Sequence, residues 1–271
     1  MPRKQRHFVQ SLARGLNVLQ AFSAEHSRLT LSQISERTGF NVVAVQRYTD
    51  TLMEMGFLKR NRHREFFLGP GVLSLGFAFL NRTELKKIAE EYISEFSDRV
   101  GRTLNMAILD GAEIIFIYRK EVHRFLSYDL HAGSKLPAHC TGSGKCLLAG
   151  LDDVSLRELL HSADLYRVTA HTIVDPEMLW KDLMLTRKRG YSIADREWIS
   201  DLYSVGVPII NREEKMEAAV NLSLSLEEAK GDHLRDMLNQ FIELGHSLSL
   251  AMGYQGPYPV IPIADPSGDA R

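Results

Sequence analysis

Between Thr30 and Gly69 the chain is punctuated so closely that few folds remain open to it. In "LTLSQISERTGF", Thr30 and Gln33 have the spacing of a reciprocal capping box, so a helix starts there and turns Ile34 inward. Thr38-Gly39-Phe40 is a tight turn. Asn41 then caps a third helix through Met55, with Val45, Tyr48, Leu52 and Met55 as its inward stripe. Val43, Arg47, Asp50 and Glu54 face away, and Gln46 lies at the flank. Upstream, "SLARGLNVLQAF" spaces Leu12, Leu16, Leu19 and Phe22 along one helical face, with Ser11 as the cap. After Gly56, "FLKRNRHREFFL" carries two short β-prone runs around a polar tip, which makes a hairpin. Three short helices, a glycine turn and a basic hairpin predict a winged helix-turn-helix over residues 1–69.

Charge points the same way. The whole chain has a net charge of −1, but residues 1–70 hold 11 Lys and Arg against 5 Asp and Glu, and the rest hold 22 against 29. A basic segment on an acidic body suits a polyanion-binding module. The third helix is expected in the major groove of DNA, where Arg47 or Gln46 can pair with guanine or adenine edges. Val43 and Thr30 belong to the same DNA-facing set. The wing arginines Arg60, Arg62 and Arg64 and the N-terminal arm (Arg3, Lys4, Arg6) are expected on phosphate or in the minor groove.

Residues 70–83, "PGVLSLGFAFLNRT", are apolar on nearly every side, so a helix there must be covered on several faces. A second copy of the chain is the expected cover, because two half-sites enlarge a DNA interface. Residues 84–254 mix a further helix, hairpin strands ("TLNMAIL", "EIIFIYR", then "RFLSYDL"), strands near 205–210 and 218–225, and helices between and after them. That order describes an α+β domain with an antiparallel sheet. Ser225 and Glu228 have capping-box spacing and are expected to open the last long helix. Residues 255–271 are proline-rich and are expected to form an extended or disordered arm.

"AHCTGSGKCLLAGL" contains Gly-Ser-Gly-Lys, but His139 and Cys146 stand where a nucleotide phosphate loop needs glycine and Ser or Thr. Two readings remain for Gly142 and Gly144 ahead of the apolar run. Either the helix start capped by Thr141 attracts a carboxylate, or the glycines permit close packing of helix on sheet. His131, His139, Cys140 and Cys146 match no common zinc spacing. Asp195 and Glu197 flank Arg196 without an evident acid–base partner, and no nucleophile–base constellation appears. An enzyme acting on small acids is therefore the weaker alternative, as is a constitutive architectural DNA binder. Two cysteines, no membrane-length apolar run and no apolar leader fit a cytoplasmic protein.

Several segments together resemble the IclR family of bacterial transcription regulators. "FVQSLARGLNVLQAF", "LTLSQISERTG" and "TLMEMGFL" are similar to that family's winged module. "FFLGPGVLSLGFAFL" is similar to its linker, and "GSKLPAHCTGSGKCLLAGL" with "LTRKRGYSIADREW" to hallmarks of its effector domain. "FVQSLARGL" and "LTL" look most like the PcaR, PcaU and PobR subgroup, which controls breakdown of aromatic acids. The resemblance implies a dimer or tetramer with a GAF-like C-terminal domain that binds a small organic acid and needs no cofactor. Carried over by position, it implies an effector pocket of Phe125, Tyr128, Leu136, Gly142, Ser143, Asp195, Ser204, Asn221 and Ser223. Ser204 stands where the family often has cysteine.

Overall fold

The computed structural model describes residues 8–23, 25–80, 85–122, 130–231 and 233–264. The chain divides into two compact units, 1–82 and 83–271. The first holds α1 (Gln10–Gln20), α2 (Leu31–Thr38), α3 (Val42–Glu54), the hairpin β1 (Leu58–Arg60) and β2 (Phe66–Leu68), and α4 (Pro70–Leu80). The capping box forms reciprocally. The Gln33 backbone N–H donates to Thr30 Oγ1, and the Thr30 N–H donates to Gln33 Oε1 at 2.8 Å. Gly39 ends α2 in the left-handed region at φ 71°. Asn41 Oδ1 caps α3 by accepting from the Ala44 N–H at 2.8 Å.

Two inward faces differ from the sequence expectation. On α1, Val18 is buried, with Ala21 and Phe22 just beyond the helix, whereas Leu12 and Leu16 are exposed. Only the C-terminal part of α1 reaches the core, where Arg37 Nε donates to the Ala21 carbonyl at 3.0 Å. The helix also begins at Gln10 after Val9, so Ser11 is not its cap. On α3 the buried residues are Val45, Thr49 and Leu52. The Thr49 hydroxyl donates to the Gln46 carbonyl at 2.9 Å, which lets a polar residue face inward. Tyr48 lies at the flank, edge-on to Phe40, and Met55 is exposed past the helix end. In α4, Leu73, Leu75, Phe77 and Phe79 are all exposed within their unit.

The second unit is built on one antiparallel sheet. Its strands are β3 (Leu104–Asp110), β4 (Glu113–Lys120), β5 (Lys135–Pro137), β6 (Ser192–Asp195), β7 (Leu202–Ile210) and β8 (Met216–Ser225). They are ordered β5-β4-β3-β8-β7-β6. Its helices are α5 (Leu85–Val100), α6 (Gly142–Ala149), α7 (Asp153–Ser162), α8 (Pro176–Arg189) and α9 (Leu234–Ala251). Strand alternation gives the sheet two unlike faces. Leu104, Val220, Leu222, Val205 and Val207 point to one face, where Gly245 of α9 packs on Val207. Asn105, Ala107, Ala219, Asn221 and Gly206 point to the other, where α6 lies.

Two expectations for this unit need correction. Ser225 and Glu228 do form a reciprocal box, but it opens a single 3-10 turn, Glu228–Lys230, and α9 starts only at Leu234. Residues beyond 254 are not a free arm as far as residue 264. Ile261 is buried in the core, the Tyr258 hydroxyl donates to the Pro208 carbonyl at 2.8 Å, and the Ala264 N–H donates to Gly150 at 2.8 Å. Buried contacts hold this segment because its apolar residues alternate with prolines that need no backbone donor. The expected strand "RFLSYDL" lies largely outside the described residues.

Candidate functional site

On the first unit, Val43 is 74% exposed and Arg47 is exposed beside it on the outer face of α3. Gln46 is half-buried, and its Nε2 donates to Asp50 Oδ1 at 2.6 Å. Thr30 sits at the start of α2 with its side chain in the capping box. Arg60, Arg62 and Arg64 are all exposed on the wing, and Arg60 lies over the Phe66 ring. Asn61 shapes the tip by accepting from the backbone of His63 and Glu65 at 2.9 and 3.0 Å. Arg64 adopts φ 62° there. Arg3, Lys4 and Arg6 lie outside the described residues.

The second unit contains a cavity of about 230 Å³ on the α6 face of the sheet. A polar row crosses its floor at one register: Arg119 on β4, Asn105 on β3 and Asn221 on β8. Arg119 Nη1 donates to Asn105 Oδ1 at 2.6 Å and Nη2 meets Glu121 at 3.0 Å, while its buried Nε has no partner. Asn221 Nδ2 donates to the hydroxyl oxygens of Ser204 (3.2 Å) and Ser223 (3.3 Å). Those hydroxyls therefore keep their own hydrogens for another acceptor. Phe116, Leu130, Leu136, Trp198 and Leu202 supply apolar walls. Arg119 and Asn221 are two strand spacings apart, roughly 10 Å. This geometry suits a small amphipathic molecule with acceptors at both ends.

Of the residues carried over by position, Leu136, Ser204, Asn221 and Ser223 line this cavity, and Gly142, Ser143 and Asp195 do not. Gly142 packs on β7: a Cβ there would stand 2.6 Å from Ser204 Oγ and 3.1 Å from the Val205 carbonyl carbon. Its carbonyl accepts from Ser192 Oγ at 2.6 Å. The glycine is there for helix-on-sheet packing, and Thr141 and Cys140 are what this segment shows the cavity. Ser143 is fully buried, its hydroxyl without a partner. Asp195 pairs with Arg196 at 3.0 Å through both carboxylate oxygens, and that guanidinium holds its carboxyl below the usual range. Phe125 and Tyr128 lie outside the described residues.

The sequence reading missed Arg119 and Asn105 altogether. It also missed what Lys145 does. This lysine is fully buried and bonded to Glu197, with Asp182 Oδ2 at 2.9 Å. The three join α6, α8 and the loop that carries Trp198. The Thr172 and Thr169 hydroxyls hold the same loop from outside by donating to the carbonyls of Glu197 and Arg196, each at 2.7 Å. Burial pushes the Cys140 thiol up to about 12 and raises Cys146 as well, so both stay protonated packing groups. Among the described residues no His, Cys, Asp and Glu side chains group to hold a metal, and no helix is long and apolar enough to cross a membrane.

Two family models match this chain: the IclR helix-turn-helix domain over residues 11–62, and the bacterial transcriptional regulator IclR C-terminal domain over residues 77–250. The chain belongs to the IclR family. It is a ligand-responsive, DNA-binding transcription regulator of that type. This IclR-family chain is 42% identical over 217 residues to the Pca regulon regulatory protein of Pseudomonas putida, covering 80% of the chain and 74% of that relative. It is 29% identical to the p-hydroxybenzoate hydroxylase transcriptional activator of Acinetobacter baylyi, covering 85% and 87%. Among solved structures, Thermotoga maritima IclR superposes with a TM-score of 0.68 at 25% identity, covering 90% and 99%. An IclR homolog from Microbacterium hydrocarbonoxydans complexed with 4-hydroxybenzoate gives 0.75 at 25% identity, covering 90% and 97%.

Proposed function

We propose that this regulator senses a small aromatic acid in the cavity of its second unit and, in response, changes its grip on an operator as a cytoplasmic homodimer or dimer of dimers. The polar row carries the reading. The Arg119 guanidinium lines one end, two serine hydroxyls with hydrogens to donate line the other, and apolar walls lie between. An acid's carboxylate pairs with Arg119, and a ring hydroxyl or second polar group reaches Ser204 and Ser223. The 4-hydroxybenzoate complex of the Microbacterium protein supports an aromatic ligand. A protonated Cys140 in the cavity wall supports binding over catalysis. DNA contact falls to Val43, Gln46 and Arg47 with Thr30 behind them, to Arg60, Arg62 and Arg64, and to the basic arm. The exposed rows on α1 and α4 support self-association.

Calorimetry tests the effector assignment. Hydroxybenzoates should bind the wild type, and Arg119→Ala should lose roughly 10-fold or more, since a hydrogen bond to a charged group contributes about 1.5–3 kcal/mol. Binding of the ring compound without its carboxylate at equal affinity, or unchanged affinity in Arg119→Ala, defeats the assignment.

A further inference from the structure

The outer face of α3 holds an acid where an acid is least expected. An acid on a groove-facing helix is repelled by the phosphate backbone, yet Asp50 lies one turn from Gln46 and accepts its Nε2 hydrogen at 2.6 Å. Val43, Gln46, Arg47 and Asp50 are spaced i, i+3, i+4 and i+7, so they form one outward stripe.

We propose that Asp50 is a positioning residue that makes Gln46 selective for adenine; the inference rests on the reading of α3 as the groove helix. A free glutamine amide can turn over, and so can offer its oxygen or its nitrogen to a base edge. A carboxylate accepts only, so Asp50 fixes which end of the amide faces it. The bidentate edge for adenine uses the amide oxygen, accepting from N6, and the N–H on that oxygen's side, donating to N7. The other N–H is left over, and that is the hydrogen Asp50 can hold. Guanine offers two acceptors, N7 and O6, in the major groove. To satisfy both, Gln46 would need both of its N–H hydrogens, one of which Asp50 already occupies. Its oxygen would otherwise face O6. The acid therefore excludes guanine at this position while Arg47 remains free to read it elsewhere.

The experiment is selection of bound duplexes from a randomised DNA library by the full-length protein, followed by affinity measurement on the selected site and its single-base variants. The wild type should show an adenine that Gln46→Ala no longer prefers, with the other positions unchanged. At that position the wild type should favour adenine over guanine by about 5- to 150-fold, the range for a bidentate pair. Asp50→Ala should collapse that ratio toward one, and Asp50→Asn, which keeps an acceptor oxygen, should restore much of it. An Asp50→Ala protein that binds all DNA more tightly with its adenine-to-guanine ratio intact overturns the proposal, because the acid then acts only as a repelling charge. Failure of the wild type to enrich any sequence instead removes the underlying assignment of α3 to DNA.

Discussion

Lys145 and His139 show how one short segment can keep ionisable groups away from water. The Lys145 ammonium is compensated by Glu197 and Asp182, and removing one partner of a buried ion pair leaves the other unpaired. Lys145→Met should destabilise the second unit by about 3–5 kcal/mol, read from denaturant unfolding. Adding Glu197→Leu should recover part of that loss, and a double variant no better than the single one contradicts the account. His139 is buried, with Nε2 3.1 Å from the Tyr166 carbonyl. Burial holds its pKa below the ordinary 6.5; the Tyr166 carbonyl opposes the shift, and Lys145 adds to it. The unfolded chain then takes up the proton more readily than the folded one. The stability involved is present above pH 6.5 and is lost as pH falls through the lower folded value. His139→Asn should flatten stability between pH 7.5 and 5.5, and an unchanged slope counts against this origin. None of this was legible in "AHCTGSGK", because Lys145 finds Glu197 52 residues away and no local pattern encodes that pairing.

At the scale of elements, α1 and α4 carry apolar side chains that their own unit leaves uncovered. Phe8, Leu12 and Leu16 recur every four residues along α1 and its start, each at least half exposed. Phe77 and Phe79 on α4 are 48% and 53% exposed. Rows of this size on a soluble protein mark contact surfaces. Phe77→Glu and Leu12→Glu should each lower the oligomeric state in sedimentation, and a monomeric wild type would remove the premise. The amphipathic spacing of α1 was readable in advance, but which face the unit would use was not, because periodicity marks an apolar side without naming its partner. The winged hairpin, the caps of α2 and α3, and the helix over 84–100 were all legible, since each has local turn or capping chemistry. The polar face of β8 could also have been found: Asn221, Ser223 and Ser225 alternate strictly with Val220, Leu222 and Leu224. The edge strands β5 and β6 escaped because three or four residues carry too little pattern.

For the whole molecule, regulation needs only modest coupling between units. An effector that shifts DNA affinity 5- to 150-fold draws on about 1–3 kcal/mol. The stability of the second unit depends on a segment beyond the family match, which ends at residue 250. Tyr254 and Ile261 are each 5% exposed. Burying one large apolar side chain stabilises by about 1.5–3 kcal/mol. A chain truncated after Met252 should therefore show an earlier calorimetric transition for the second unit, with the first unit's transition unmoved; coincident transitions in both proteins would contradict this. The same feature sets the order of events during synthesis. Residues 1–82 can fold as soon as they emerge, whereas the second unit completes its core only when Ile261 leaves the ribosome. At about 5–20 residues per second, that delay is on the order of 10–40 s. For that interval the DNA reader is finished while the sensor still lacks part of its core, so a message broken between codons 252 and 261 yields a complete reader joined to a less stable sensor.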